Sequence, residues 1–341
     1  MKKTSLLLVI MLLITGTSGA YGYFFIYETE ESEVIKLDEI DETQETNDTV
    51  DEEPQDPPVE NNDTLFRGMK EECFEHGGIE RCWILYVPDQ TDITKSIPLL
   101  LDLHGLQRNA YQQYNFTDMD KIGRENNAIV IYPQGYGESW NFGACCDPAK
   151  DENIDDMGFL QTLITDSLER FPVDSNRVYF TGWSNGCAMS QSLANEASDL
   201  ITAVACMSMY FIGEEASNYS PVPVMEIHGF FDAIALYSNI GPSGIFFQQE
   251  IWNTGAIQNL YNWKEMNGCS GNTPDWTEEE IFYNIQGFTN CDNSSEVALV
   301  TIHAGTHNVY AKKDSGSPDP GTLGTVDASQ MAWDFMSRFS K

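Results

Sequence analysis

One stretch of this 341-residue chain carries residues whose types and spacing could do chemistry: Gly182-Trp183-Ser184-Asn185-Gly186. It is entered from the apolar run Val178-Tyr179-Phe180 and left through the small-residue run Cys187-Ala188-Met189. Gly-x-Ser-x-Gly between a strand and a helix puts a serine at the tip of a sharp, strained turn, with its hydroxyl in the open. Gly182 and Gly186 mark where strand and helix pass too close for side chains. The helix start turns free N–H groups and a positive dipole end toward any anion that forms at the serine. A serine hydroxyl is a poor nucleophile until a histidine takes its proton and a carboxylate orients that histidine. The chain has five histidines. His76 lies ahead of the first predicted strand and has no assigned role. His104 and His228 each stand at a strand end before glycine, where they are expected to shape turns. His303 falls within or at the end of the last predicted strand and is expected in the core. His307, in Ala304-Gly305-Thr306-His307-Asn308, is on the loop after that strand and is the expected base. Asp232, four residues past His228, is the expected carboxylate, and Glu226 is read as structural. The order Ser184, Asp232, His307 is one in which such triads occur. An oxyanion needs two backbone N–H donors aimed at one point. Asn185, directly after the nucleophile, supplies one, and the turn at His104-Gly105 supplies the other at Leu106.

These groups need a frame. Continuous apolar runs at residues 82–88, 98–105, 127–133, 177–181, 203–208, 222–229 and 297–303 read as strands. Residues 68–82 read as a lead-in to the first of them. Asp155-Asp156 caps a predicted helix to about Arg170, with Phe159, Leu160, Leu163, Ile164 and Leu168 on its apolar face. Residues 326–339 read as an amphipathic closing helix. Buried strands separated by helices indicate an α/β fold with a mostly parallel central sheet and helices on both faces. Functional groups then gather beyond the carboxyl ends of the strands. The loops carrying Ser184, Asp232 and His307 all fall there.

The formal net charge is −35. Residues 28–63 hold sixteen acidic residues against one lysine, and the rest of the chain stays acidic. Such a surface repels nucleic acid and anionic membrane, which excludes nucleic acid as a partner. Residues 1–27 read as an export signal or an N-terminal membrane anchor. Lys2-Lys3 precedes an uncharged stretch, residues 5–27, with a cleavage-like Ser18-Gly19-Ala20 inside it. Either reading places the rest outside the cell, secreted or on the extracellular face of the membrane, because the lysines hold the N-terminus in the cytoplasm. Residues 28–63 are too polar to bury a core and are expected to be a disordered acidic linker. Residues 64–341 are the expected catalytic domain. Eight cysteines in an exported chain suggest disulfides. Cys269 with Cys291, and Cys73 with Cys82, are the expected pairs. One of Cys145 and Cys146 is expected to reach Cys187. A metal site at Cys145-Cys146 has no support from ligand spacing.

Further motifs fall in line: His104-Gly105, Tyr132-Pro133-Gln134-Gly135, Trp140-Asn141 with Cys145-Cys146, Asp155-Asp156-x-Gly158-Phe159, Ile227-His228-Gly229 with Asp232, and His307-Asn308. Together with the serine motif they resemble the secreted polyhydroxybutyrate depolymerase-like and feruloyl esterase-like family of α/β-hydrolases, from about Arg81 to the C-terminus. The resemblance implies a secreted serine carboxylesterase without cofactor or metal. Its substrate would be a feruloyl or acetyl ester of plant-type polysaccharide, or a polyester. The implied triad is Ser184, Asp232 and His307. Trp140, Asn141, Trp183 and Phe231 are expected to line the substrate cleft, with Phe230 nearby; core packing is the alternative for Trp140, Asn141 and both phenylalanines. Three positions depart from the family pattern: Cys187 for a glycine, Val309 for a tryptophan, and Ala304-Gly305-Thr306 for three glycines. They bear on the pocket walls. A serine peptidase on the same fold and an inactive surface binding protein are the alternatives.

Overall fold

The computed structural model describes residues 65–238, 255–310 and 326–341. They lie in the compact unit Asn61–Lys341. Residues 1–64, with the signal or anchor and the acidic linker, fall outside the described residues, as do all of residues 239–252, which the sequence offers as one lip of the cleft. Among the described residues no helix is long and apolar enough to cross a membrane.

The apolar runs form a ten-stranded sheet among the described residues. In chain order the strands are β1 (Gly68–His76), β2 (Ile79–Val87), β3 (Ile97–Leu103), β4 (Ile129–Pro133), β5 (Val173–Gly182), β6 (Ala203–Met207), β7 (Val224–Gly229), β8 (Trp276–Glu279), β9 (Tyr283–Phe288) and β10 (Val297–Ile302). Their spatial order is β1-β2-β4-β3-β5-β6-β7-β10-β9-β8. From β4 to β10 the neighbours are parallel, while β1, β2, β8 and β9 add antiparallel edges. The α/β-hydrolase architecture expected from the sequence is therefore present.

Successive side chains of the central strands point to opposite faces, and both faces are covered. Leu99, Leu101 and Leu103 meet α3 (Asp156–Arg170), α4 (Asn185–Glu196) and α5 (Ala256–Met266) in one core. Leu100, Val130 and Ile227 meet α1 (Ala110–Phe116), α2 (Met119–Asn126) and α6 (Ala328–Met336) in the other. Asp155 caps α3 by accepting the N–H of Gly158 at 2.8 Å. Behind it, buried Asp156 pairs with Arg81 on β2 and accepts the N–H of Asn141.

The structure corrects the lead-in at residues 68–82. Residues 68–76 are a full edge strand, paired with β2 so that Cys73 stands opposite Cys82, and the two form a disulfide. Cys269 pairs with Cys291 across the β8–β9 excursion. The expected reach from Cys145 or Cys146 to Cys187 does not occur. Cys187, in the first turn of α4, lies over β6 and pairs with Cys206, while Cys145 and Cys146 pair with each other in a loop closed by Phe142 and Trp140 backbone bonds. None of the eight cysteines is free.

Candidate active site

β5 is held between β3 and β6 up to the turn. The N–H of Trp183 donates to Leu103 O at 3.1 Å, and that of Ser184 to Met207 O at 2.9 Å. The chain reverses at Ser184 with φ 54° and ψ −119°. A side chain in such sparsely populated backbone costs of order 1–3 kcal/mol, so the surroundings must impose it. They do. A Cβ on Gly186 would strike the carbonyls of Leu103 and His104, and one on Gly182 would stand 2.7 Å from Leu103 O. Ser184 precedes α4 but makes no side-chain cap bond. Its hydroxyl instead meets His307.

His307 Nε2 is 2.8 Å from Ser184 Oγ, and its Nδ1 is 2.8 Å from Asp232 Oδ2. The three residues named from the sequence thus meet within hydrogen-bond reach. Asp232 is buried; its Oδ1 accepts the N–H groups of Ile234 (2.8 Å) and Ala235 (2.9 Å). Burial pushes its carboxyl pKa up, but hydrogen bonds and charge from His228 and His307 outweigh that and bring it to about 2. Trp183 is half-buried with its ring 5.6 Å from that of His307.

Sequence reasoning missed what fixes the His307 loop. Gly229 and Gly305 pass backbone to backbone: a Cβ on Gly305 would lie 2.8 Å from Gly229 Cα. Phe231 N–H donates to Gly305 O at 2.8 Å. The Tyr310 hydroxyl donates to Thr306 O, and the Ser208 hydroxyl to Asn308 O at 2.7 Å. The loops after β6, β7 and β10 are therefore interlocked around the imidazole.

The other side of the serine is the turn after β3. The backbone N–H groups of Leu106 and Asn185 donate to no backbone carbonyl outside helices and strands among the described residues, and Asn185 opens its helix, where N–H groups have no intrahelical partner. His104 holds this turn. It is buried; its Nε2 accepts the N–H of Gly135 at 2.9 Å, and its Nδ1 faces Gly105 O at 2.9 Å. Burial lowers its pKa to about 4, so the ring is neutral near pH 7.

Two cleft expectations are corrected. Trp140 is fully buried: its indole N–H donates to His104 O at 2.9 Å, and its backbone exchanges two hydrogen bonds with the Asn185 side chain. It braces the Leu106 turn against the start of α4 from beneath. Asn141 spends its amide on Ile154 O and the N–H of Gly143, holding its own loop. Phe231 is 62% and Phe230 47% exposed, packed edge to face. His303, expected in the core, is exposed just past β10 with its Nδ1 facing Ile281 O. Among the described residues, Glu71, Cys73 and Cys82 are close enough to share an ion, but both sulfurs belong to a disulfide.

Comparison with known proteins agrees with this frame. The family model described as esterase PHB depolymerase matches residues 81–241. Feruloyl esterase B of Piromyces equi is 29% identical over 72% of this chain and 43% of its own length. The resemblance to the polyhydroxybutyrate depolymerase-like and feruloyl esterase-like family read from the sequence is supported by this family model and by the relatives named feruloyl esterase. Feruloyl esterase D of Neurospora crassa is 26% identical over 64% of each chain. A bifunctional acetylxylan esterase/xylanase of Neocallimastix patriciarum is 23% identical over 46% of this chain and 22% of its own. This chain therefore spans less than two thirds of each of these relatives. Among solved structures, an acetyl xylan esterase from Aspergillus awamori shares the fold at a TM-score of 0.53 and 14% identity, covering 75% of this chain and 94% of that one.

Proposed function

We propose that this protein is an extracellular serine carboxylesterase. Its substrates would be feruloyl or acetyl esters attached to plant-type polysaccharide, or a polyhydroxyalkanoate-type polyester. One observation carries the reading: Ser184, His307 and Asp232 form an unbroken hydrogen-bonded line with 2.8 Å at both contacts. Support for ester substrates comes from relatives named feruloyl esterase and acetylxylan esterase and from the matching family's description.

Ser184 Oγ attacks the ester carbonyl carbon while His307 Nε2 takes its proton. The resulting oxyanion faces the N–H groups of Asn185 and Leu106. Collapse expels the alcohol, which leaves with the proton from His307. His307 then takes a proton from water, and the hydroxide attacks the acyl carbon. A second collapse returns the proton to Ser184 and frees the acid. Asp232 accepts the Nδ1–H throughout, which fixes the tautomer and stabilises the imidazolium. The disulfides and the charged-then-apolar N-terminus support export, with residues 28–63 as an acidic tether between residues 1–27 and the catalytic domain.

The test is hydrolysis by the full chain of acetyl, butyryl and feruloyl esters and a hydroxybutyrate oligomer, beside Ser184→Ala. Ser184→Ala should lower kcat/KM by at least about 10³-fold with unchanged circular dichroism. The preferred ester then fixes the substrate branch. Full activity in the variant would sink the reading.

A further inference from the structure

Asp232 has a second histidine behind it. His228, at the end of β7, is fully buried, and its Nε2 lies 3.4 Å from Asp232 Oδ2, the oxygen that also faces His307. Both of its ring nitrogens face acceptors. Nδ1 is 2.6 Å from Glu226 Oε1, and Nε2 is 2.8 Å from Ala235 O. A backbone carbonyl cannot donate, so Nε2 carries a proton. The remaining proton is shared between Nδ1 and Glu226, whose second oxygen already accepts from Asn259 Nδ2 at 2.6 Å. Asn259 cannot turn its amide round without loss, because its Oδ1 accepts the N–H of Phe211 at 3.1 Å. Its Nδ2 also donates to Gln191 Oε1 at 3.0 Å, and Gln191 receives the Trp263 indole N–H at 2.8 Å. The groups packed on the ring from other elements are aromatic: Tyr210 lies across it at 6.3 Å and Tyr237 at 6.2 Å. Apart from His228 and His307, no basic side chain is paired with Asp232 or Glu226 among the described residues. A carboxylate pair this deeply buried needs a cation to remain charged.

We propose that His228, paired with Glu226, is a positioning residue that holds a buried positive charge beside Asp232 Oδ2, the oxygen that also faces His307. The proposal rests on the triad reading above. Two consequences follow from the geometry. The imidazolium anchors a carboxylate that would otherwise be held only by His307 at Oδ2 and by the Ile234 and Ala235 amides at Oδ1. It also draws charge from Asp232, so His307 releases its proton to the leaving alcohol more readily. Burial alone would push the His228 pKa down; the hydrogen bonds and charges of Asp232 and Glu226 outweigh it and raise the pKa to about 10. Nothing touches substrate through His228, so its removal should leave binding intact.

The experiment has two arms on the full chain. In the first, ¹⁵N-histidine NMR of the unaltered protein near pH 8 should show one histidine with both ring nitrogens protonated, and that signal should vanish in His228→Gln or, where this variant does not fold, in Glu226→Gln. A neutral His228 at that pH overturns the proposal. In the second, His228→Gln and Glu226→Gln are assayed on the best ester across pH. His228→Gln should lose about tenfold or more in kcat with KM within about twofold, and the acid limb of kcat/KM should move up by about half a pH unit. Glu226→Gln should move in the same direction by less. Loss of activity in Ser184→Ala tests the triad separately. With that loss in hand, wild-type kcat and an unmoved acid limb in both folded variants overturn the role of His228 alone.

Discussion

His104 and His228 enter the fold in the same way. Each ends a buried strand, each is followed by glycine, each is withdrawn from solvent, and each adjoins one side of the Ser184 turn. Their protonation is opposite. His104 has a backbone N–H against one nitrogen and a backbone carbonyl against the other, with no carboxylate beside it, and burial takes its pKa to about 4. His228 lies between two carboxylates and is held near 10 against the same desolvation. Burial does not decide the state of a histidine; the groups facing its two nitrogens do. The neutral ring shapes the turn that presents the Leu106 amide. The charged ring backs the acid of the proposed triad.

The sharpest way to break the contrast is to remove the carboxylate that His228 has and His104 lacks. Asp232→Asn cannot accept from His307 in the same way while keeping its backbone contacts, and kcat should fall by about 10³- to 10⁴-fold. A loss under tenfold, read from steady-state kinetics, would mean that His307 is oriented by something else. The next effect is on stability. The folded-state pKa of His104 is depressed below its ordinary value of 6.5, so the unfolded chain binds the proton first as the pH falls. Its contribution is present above about 6.5 and lost toward 4, a decline of about 3 kcal/mol. Urea unfolding at pH 7 and 4.5 should show this slope in the wild type and a flatter one in His104→Gln. His228 has the opposite sign. Its folded-state pKa is raised, so its contribution is complete below about 6.5 and lost as the pH rises toward 10. The same measurement at pH 7 and 9.5 should show a decline that His228→Gln removes. Parallel slopes for the two histidines would end the comparison.

Much of this was legible in the sequence. The central strands announce themselves as unbroken apolar runs, because a sheet covered on both faces needs apolar residues at every position. The edges do not. In β1 half-buried and exposed residues alternate, and the run Met69-Lys70-Glu71-Glu72 reads as a polar lead-in. In β8, Thr277-Glu278-Glu279 has no apolar face and is a strand only because β9 pairs with it. At the site, the three residues brought together were findable from spacing. Trp140 was misplaced because an aromatic next to asparagine looks the same under a cleft as in its wall; burial separates the two. The charged neighbour of Asp232 left a signal that spacing could have exposed. Glu226 and His228 are two apart on a strand, so they share a face and must answer for each other's burial. Tyr310 and Ser208 left none, since their contacts depend on how three loops meet.

The account stands on Ser184 being an activated nucleophile. The most direct test is to treat the full chain with an ester-like fluorophosphonate and locate the adduct by peptide mass spectrometry. Phosphonylation confined to Ser184, and slowed by at least about 10³-fold in His307→Ala, is the predicted result. No adduct on folded protein, or an adduct on another residue, would contradict it.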